Sequence, residues 1–247
     1  MITSPEWALS DLAVRMCKAS YIEDGDELRA TVGAMGCDEI SILSNPLTDA
    51  QAFCTRRKGS LWVSIRGSDS GKDWKQNFKF IRKQGSHEGF HFHAFSLWFE
   101  IQAFAKNYPD DPVVVCGHSL GGGVAALLSD WFVRSGRVVH LITFGQPRVY
   151  GPREGKRAAA GLKTYSRWVN DDDIVPHLPP AFSGLYRHSG RLLFIDSEGR
   201  LHGKSPKAGT SLRHFFMSLG FRGGRGEHHI DRYLEAIKNL EPKRNRT

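Results

Sequence analysis

The chain of 247 residues is long enough for one large α/β domain, and its 40% hydrophobic and 24% charged fractions exclude a disordered or fibrous protein. No apolar run reaches the roughly 18 to 20 residues of a membrane-spanning helix, and Met1-Ile-Thr-Ser-Pro-Glu-Trp lacks the basic start and apolar core of a secretory leader, so a soluble chain without a signal peptide is expected. Thirty-four basic against 26 acidic residues leave a charge of +8, which suits nucleic acid, anionic membrane surfaces or anionic products and selects none of them.

Along the chain, Ser4-Pro5 offers a cap and a first-turn proline, and Leu9, Leu12, Ala13 and Met16 follow at helical spacing, which predicts a helix covering a sheet. Short apolar segments at Glu39 to Leu43, Ala52 to Thr55 and Ser60 to Arg66 are branched and aromatic enough to be strands. From Gly89 to Ala105, the positions Phe90, Ala94, Phe95, Leu97, Trp98, Ile101, Phe104 and Ala105 recur every three or four residues, predicting a long core-facing helix that Asn107-Tyr-Pro ends. Val113 to Cys116 reads as a buried strand, Gly117 to Gly122 as a glycine-rich turn, Val124 to Val133 as a helix and Val138 to Phe144 as the next strand. Strand, helix, strand is a βαβ unit with parallel pairing and a right-handed crossover. Tyr165 to Val169 and Leu192 to Ile195 add strands, and Ile230 to Leu240 closes the chain with a helix. With no internal repeat and no linker, the reading is one α/β domain over residues 1–247, with Gly199 to Glu227 as a long loop.

The four cysteines, Cys17, Cys37, Cys54 and Cys116, contain no C-x-x-C pair, so neither a zinc cluster nor a dithiol motif is indicated. They read as reduced, small hydrophobes, which leans towards a reducing, cytoplasmic compartment; a secreted chain is the alternative.

The segment that carries chemistry is Gly117-His118-Ser119-Leu120-Gly121-Gly122, a G-x-S-x-G pattern between a predicted strand and a predicted helix. A strained turn there would lift the serine hydroxyl clear of the backbone, with glycines avoiding side-chain clashes, and would aim the Leu120 N–H at a developing oxyanion. The bland alternative is a glycine-rich turn with a serine cap. A serine needs a base, and the base a carboxylate, in the chain order Ser, Asp, His. Asn170-Asp171-Asp172-Asp173-Ile-Val-Pro follows a predicted strand, and Glu227-His228-His229 precedes the last helix. From composition, the first is equally a solvated acidic turn, and either histidine could be the base.

Six segments in order now resemble the class 3 lipase family: Ser64-Ile-Arg-Gly-Ser-Asp-Ser with Asp73-Trp74, His87-Glu-Gly-Phe90, Gly117 to Gly122, Thr143-Phe-Gly-Gln-Pro-Arg-Val149, Asp173-Ile-Val-Pro-His-Leu-Pro-Pro180, and His228 with Tyr233. The resemblance implies an α/β-hydrolase fold, a central, mostly parallel sheet flanked by helices with a lid over the active site. It implies Ser119 as nucleophile, Asp173 as triad acid and His228 as base, since bacterial and plant relatives place this histidine five residues before a helical tyrosine. The chain is read accordingly as a bacterial-type member. His118 should point away from the serine; His118, His87 and Arg148 are read as structural.

By the same resemblance, Ser68 joins Leu120 in the oxyanion hole, and about Ser70 to Gly85 forms the lid, with Trp74, Phe78, Phe80 and Ile81 as its apolar contacts. The implied function is a lipase hydrolysing the carboxylic esters of acylglycerols at an oil-water or membrane interface, with neither metal nor organic cofactor. Phospholipase A1 and feruloyl-type or short-chain esterases share fold and triad and are the alternatives. Outside the enzymes, the charge leaves a basic protein binding nucleic acid or anionic membrane on a hydrolase scaffold; no nucleic-acid partner is expected, because the basic residues are not interleaved with aromatic ones.

Overall fold

The computed structural model describes residues 2–67, 82–83, 86–171, 173–179, 184–203 and 228–241. The first helix, α1 (Ser4–Ala19), begins one residue earlier than the Ser4 cap expected. Thr3 is the cap: its side chain accepts the Glu6 N–H, and the Glu6 carboxylate reaches back to the Thr3 N–H at 3.0 Å, a complete capping box. A second helix, α2 (Gly25–Ala34), which apolar periodicity does not reveal, is started by Asp24 accepting the N–H groups of Asp26 and Glu27.

Three strands follow, β1 (Asp38–Asn45), β2 (Ala50–Arg57) and β3 (Ser60–Ile65), then two short ones, β4 (Arg82–Lys83) and β5 (Ser86–His87), paired with each other. Helix α3 (Glu88–Ala105) buries Phe90, Ala94, Leu97, Ile101 and Ala105. It is not core-facing all round: Phe95, expected in the buried stripe, is 60% exposed beside exposed Phe92 and Phe99. The helix carries more apolar residues than one face accommodates.

Among the described residues, the remaining α-helices and strands are β6 (Val113–His118), α4 (Leu120–Arg134), β7 (Val139–Phe144), α5 (Pro152–Ala160), β8 (Thr164–Asn170), β9 (Arg191–Ile195), β10 (Leu201–His202) and α6 (Ile230–Asn239). The strand order in the main sheet is β1-β2-β3-β6-β7-β8-β9-β10. Pairing is parallel from β3 through β9 and antiparallel at both edges, so the sheet is mostly parallel. The βαβ unit is β6-α4-β7, with Val113 opposite Val139 and His118 opposite Phe144.

Alternation along the central strands divides the core between two faces. Leu61, Val63, Ile65, Val113, Val115 and Leu141 join the α3 and α4 side chains Leu97, Ile101, Leu127, Leu128 and Phe132. Trp62, Val114, Cys116, Ile142, Phe144 and Trp168 pack on the other side against Leu12, Met16 and Cys17 of α1 and Ile230, Tyr233 and Ile237 of α6. Each such large side chain removed from water contributes about 1.5 to 3 kcal/mol before the cost of ordering it. The last helix is held to the first by Trp7 Nε1–H donating to the Ile237 carbonyl at 2.8 Å and by an ion pair between Lys18 and Asp231 at 2.6 Å. That tie fixes the chain that leads into α6, and therefore His228. All four cysteines are free thiols, three of them buried.

Candidate active site

Ser119 stands between β6 and α4 with φ 58° and ψ −129°, a conformation that costs a non-glycine residue strain and that a packed surrounding must impose. The turn closes so tightly that a Cβ on Gly121 would lie 2.4 Å from the Ile65 carbonyl oxygen and one on Gly117 2.3 Å from the Gly121 carbonyl oxygen. Only glycine fits at either place. Leu120 is the first residue of α4, where backbone N–H groups have no intrahelical acceptor and the helix dipole favours negative charge.

The serine meets its partners from far along the chain. Ser119 Oγ–H donates to His228 Nε2 at 2.7 Å, and His228 Nδ1–H donates to both oxygens of Asp173 at 2.9 Å. Asp173, at the strand-end loop after β8, is wholly buried, and a buried carboxylate is tolerable only when its lone pairs are filled. They are: besides His228, the Tyr233 hydroxyl donates to Oδ2 at 2.5 Å and the Val175 N–H to Oδ1 at 2.9 Å. Tyr233 in turn accepts the Asn170 N–H at 3.2 Å. Gly145, after β7, has φ +59°, and a Cβ there would lie 2.7 Å from Asp173 Oδ2 and 3.0 Å from the His228 ring. The acid and the imidazole thus lie against a bare stretch of backbone.

The neighbouring histidines have other places. His229 caps α6, its Nδ1 accepting the Asp231 N–H at 3.4 Å. His118 takes no part in the Ser119–His228 hydrogen bond: its ring stacks on His228 with centroids 4.7 Å apart, and its two nitrogens bond to Tyr21 and to the His228 backbone. Burial, followed by the nearby His228 charge, holds the His118 pKa well below that of a free imidazole. Arg148 is buried and donates to the carbonyls of His177 and Pro179, clamping the loop after Asp173; burial, with Arg167 nearby, pulls its pKa down to about 10.

Of the expected site residues, Ser119, Leu120, Asp173 and His228 lie together. Ser68 and the lid contacts Trp74, Phe78, Phe80 and Ile81 lie outside the described residues, as does most of the Gly199 to Glu227 loop. For His87, only the backbone, in β5, is described. Tyr21 and Gly145, which sequence reasoning did not single out, border the site. Nothing local marks Tyr21, whereas Gly145 lies inside a segment already recognised, Thr143 to Val149. Among the described residues, no cluster of His, Cys, Asp and Glu could hold a metal ion, and no helix is long and apolar enough to cross a membrane.

A mostly parallel sheet flanked by helices, with a serine on a strained strand-to-helix turn, is the α/β-hydrolase fold. The lipase (class 3) family model matches residues 62–183. A lipase of Rhizomucor miehei is 33% identical over 190 residues, 67% of this chain and 52% of that protein. A secreted mono- and diacylglycerol lipase of Fusarium solani is 33% identical over 149 residues, 54% of this chain and 43% of that protein. The solved structure of the Rhizomucor miehei triacylglyceride lipase superposes with a TM-score of 0.68 at 28% identity, covering 81% of this chain and 84% of that one. Over residues 62–183 the chain resembles the class 3 lipase family. It spans about half the length of the curated relatives it matches.

Proposed function

We propose that this protein is a serine carboxylester hydrolase acting on acylglycerols, a triacylglycerol lipase by its preferred substrate. The observation that carries the reading is the unbroken chain of hydrogen bonds from Ser119 Oγ through His228 to buried Asp173. In the proposed cycle, Ser119 Oγ attacks the ester carbonyl while His228 Nε2 takes its proton. Asp173 holds the imidazole in the Nδ1–H tautomer and stabilises the imidazolium. The Leu120 N–H, with Ser68, receives the oxyanion. His228 then protonates the leaving alkoxide, and a water, deprotonated by the same ring, releases the fatty acid from Ser119.

The reading extends to one domain over residues 1–247, a lid at about Ser70 to Gly85 carrying Trp74, Phe78, Phe80 and Ile81, and an ester substrate met at a lipid interface rather than a nucleic acid. Acyl-enzyme chemistry needs neither metal nor organic cofactor. On compartment, the free thiols favour a reducing one, while the Fusarium solani relative is named as secreted. The bacterial-type placement rests on the five-residue spacing of His228 and Tyr233 alone; both relatives compared above are fungal.

Hydrolysis of esters from short to long acyl chain, each below and above its solubility limit, tests the proposal with Ser119→Ala as control. Activity that rises at the emulsion, persists on long chains and vanishes in the variant is the expected result. Activity confined to soluble short or aromatic esters would make the protein an esterase, and activity surviving Ser119→Ala would overturn the mechanism.

A further inference from the structure

His118 precedes the serine, yet both of its ring nitrogens are committed elsewhere. Nε2 lies 2.6 Å from the backbone carbonyl oxygen of His228, which can only accept, so Nε2 carries the proton. Nδ1 is therefore the acceptor, and the Tyr21 hydroxyl, 2.7 Å away, donates to it. The Tyr21 oxygen also lies against Gly67, the residue before Ser68 in the chain. Gly67 approaches so closely that a Cβ there would lie 2.4 Å from the Tyr21 oxygen and 3.1 Å from Ser119 Cβ. The Arg66 guanidinium lies 5.6 Å above the Tyr21 ring. One phenol, just past the end of the N-terminal helix α1, thus packs against the segment leaving β3 and is bonded to the histidine of the nucleophile turn, and through that histidine to the backbone of the proposed base.

We propose that Tyr21 is a positioning residue for ester hydrolysis: its hydroxyl fixes the tautomer of His118, which holds the His228 backbone. The proposal rests on the assignment of His228 as general base. In the opposite tautomer, His118 would turn a lone pair towards the His228 carbonyl, an acceptor facing an acceptor, and the base would lose its backbone support. Tyr21 lies outside the segment that the family model matches, residues 62–183, so α1 adds to the site an element the nucleophile motif does not contain.

Tyr21→Phe removes the hydroxyl and keeps the ring. On a water-soluble p-nitrophenyl ester, it should lower kcat about tenfold while KM stays within about twofold, because the positioned base acts in the transition state more than in substrate binding. His118→Leu should lose as much, and the double variant little more, since both remove one relay. His118→Gln, which keeps a donor for the His228 carbonyl, should recover most of the loss. In the phosphonate-inhibited enzyme, the low-field proton resonance of the His228–Asp173 bond should broaden in Tyr21→Phe and persist in His118→Gln.

A folded Tyr21→Phe with wild-type kcat and an unchanged resonance would overturn the proposal, as would losses that multiply in the double variant. Should Tyr21→Phe not fold, the comparison of His118→Gln with His118→Leu decides, and equal activities would sink the relay. Failure of the underlying reading looks different: a wild-type chain that hydrolyses no ester and takes no phosphonate at Ser119 refutes the base assignment itself.

Discussion

The Tyr233 hydroxyl lies 2.5 Å from Asp173 Oδ2, so the helix that follows the proposed base also holds the acid that orients it. His228 lies just before the cap of α6 and Tyr233 in its first turn, which puts both at the same carboxylate. Tyr233→Phe leaves the ring in the core and strips one donor from a wholly buried carboxylate. Removing one partner of a buried charged group costs about 1 to 3 kcal/mol. We expect that loss in denaturant unfolding, with kcat reduced about tenfold through a less well oriented His228. Unfolding and kcat both equal to wild type would show the bond to be idle.

Gly145 makes a stricter prediction. Its φ of +59° and the 2.7 Å that would separate a Cβ from Asp173 Oδ2 leave no relaxed place for alanine. Gly145→Ala should displace the acid and imidazole and lower kcat/KM by about a hundredfold or more, the effect of a roughly 1 Å misplacement at a reacting centre. A variant within a few-fold of wild type would mean that the backbone after β7 yields easily.

Stability should fall in mild acid. Burial, then the charge of His228, depresses the pKa of His118, and burial, then Arg167, depresses that of His188, both well below 6.5. The unfolded rings titrate near 6.5. Below that pH, the unfolded chain binds protons that the fold refuses, so the stabilisation is complete above about pH 6.5 and declines as pH falls, by up to about 1.4 kcal/mol per pH unit for each ring. Urea unfolding at pH 7.5 and 5.5 measures this, and His118→Gln should show a shallower decline. Equal declines in the two proteins would exclude His118 as a source.

Thiol labelling separates the cysteines. Cys17 and Cys54 are buried with pKa values raised chiefly by burial, Cys116 is buried in β6, and Cys37 is half-buried with its pKa raised by burial. In the folded protein, a maleimide should modify Cys37 slowly and the other three not at all, and all four after denaturation. Rapid native labelling of Cys54 or Cys116 would mean that the central strands open.

The strands and the nucleophile turn were legible because their signals are local: β-branched runs such as Val113 to Val115, and glycines flanking a serine between strand and helix. Helices α2 and α5 were not legible, since Leu28 and Val32 are the only buried residues of the first and Gly155 and Ala158 of the second. So few apolar positions leave no period to detect. The aromatic excess of α3 misled in the opposite direction, because Phe95 fits the helical period and still faces outward. In the site, the order Ser119, Asp173, His228 could be read along the chain, and the choice of His228 over His229 came from a family spacing. His229 turns out to cap α6. Tyr21 could not be found that way: it meets His118 across 97 positions, a contact that only the packing of α1 on the sheet creates.

The central claim is that Ser119 is made nucleophilic by His228 and Asp173. A fluorophosphonate, followed by intact mass and peptide mapping, tests it without assuming a natural substrate. The account predicts a single adduct on Ser119, absent in Ser119→Ala and formed at least about a hundredfold more slowly in His228→Ala, since an unactivated serine is a poor nucleophile. An adduct on another residue, or labelling of Ser119 at an undiminished rate in His228→Ala, would contradict it.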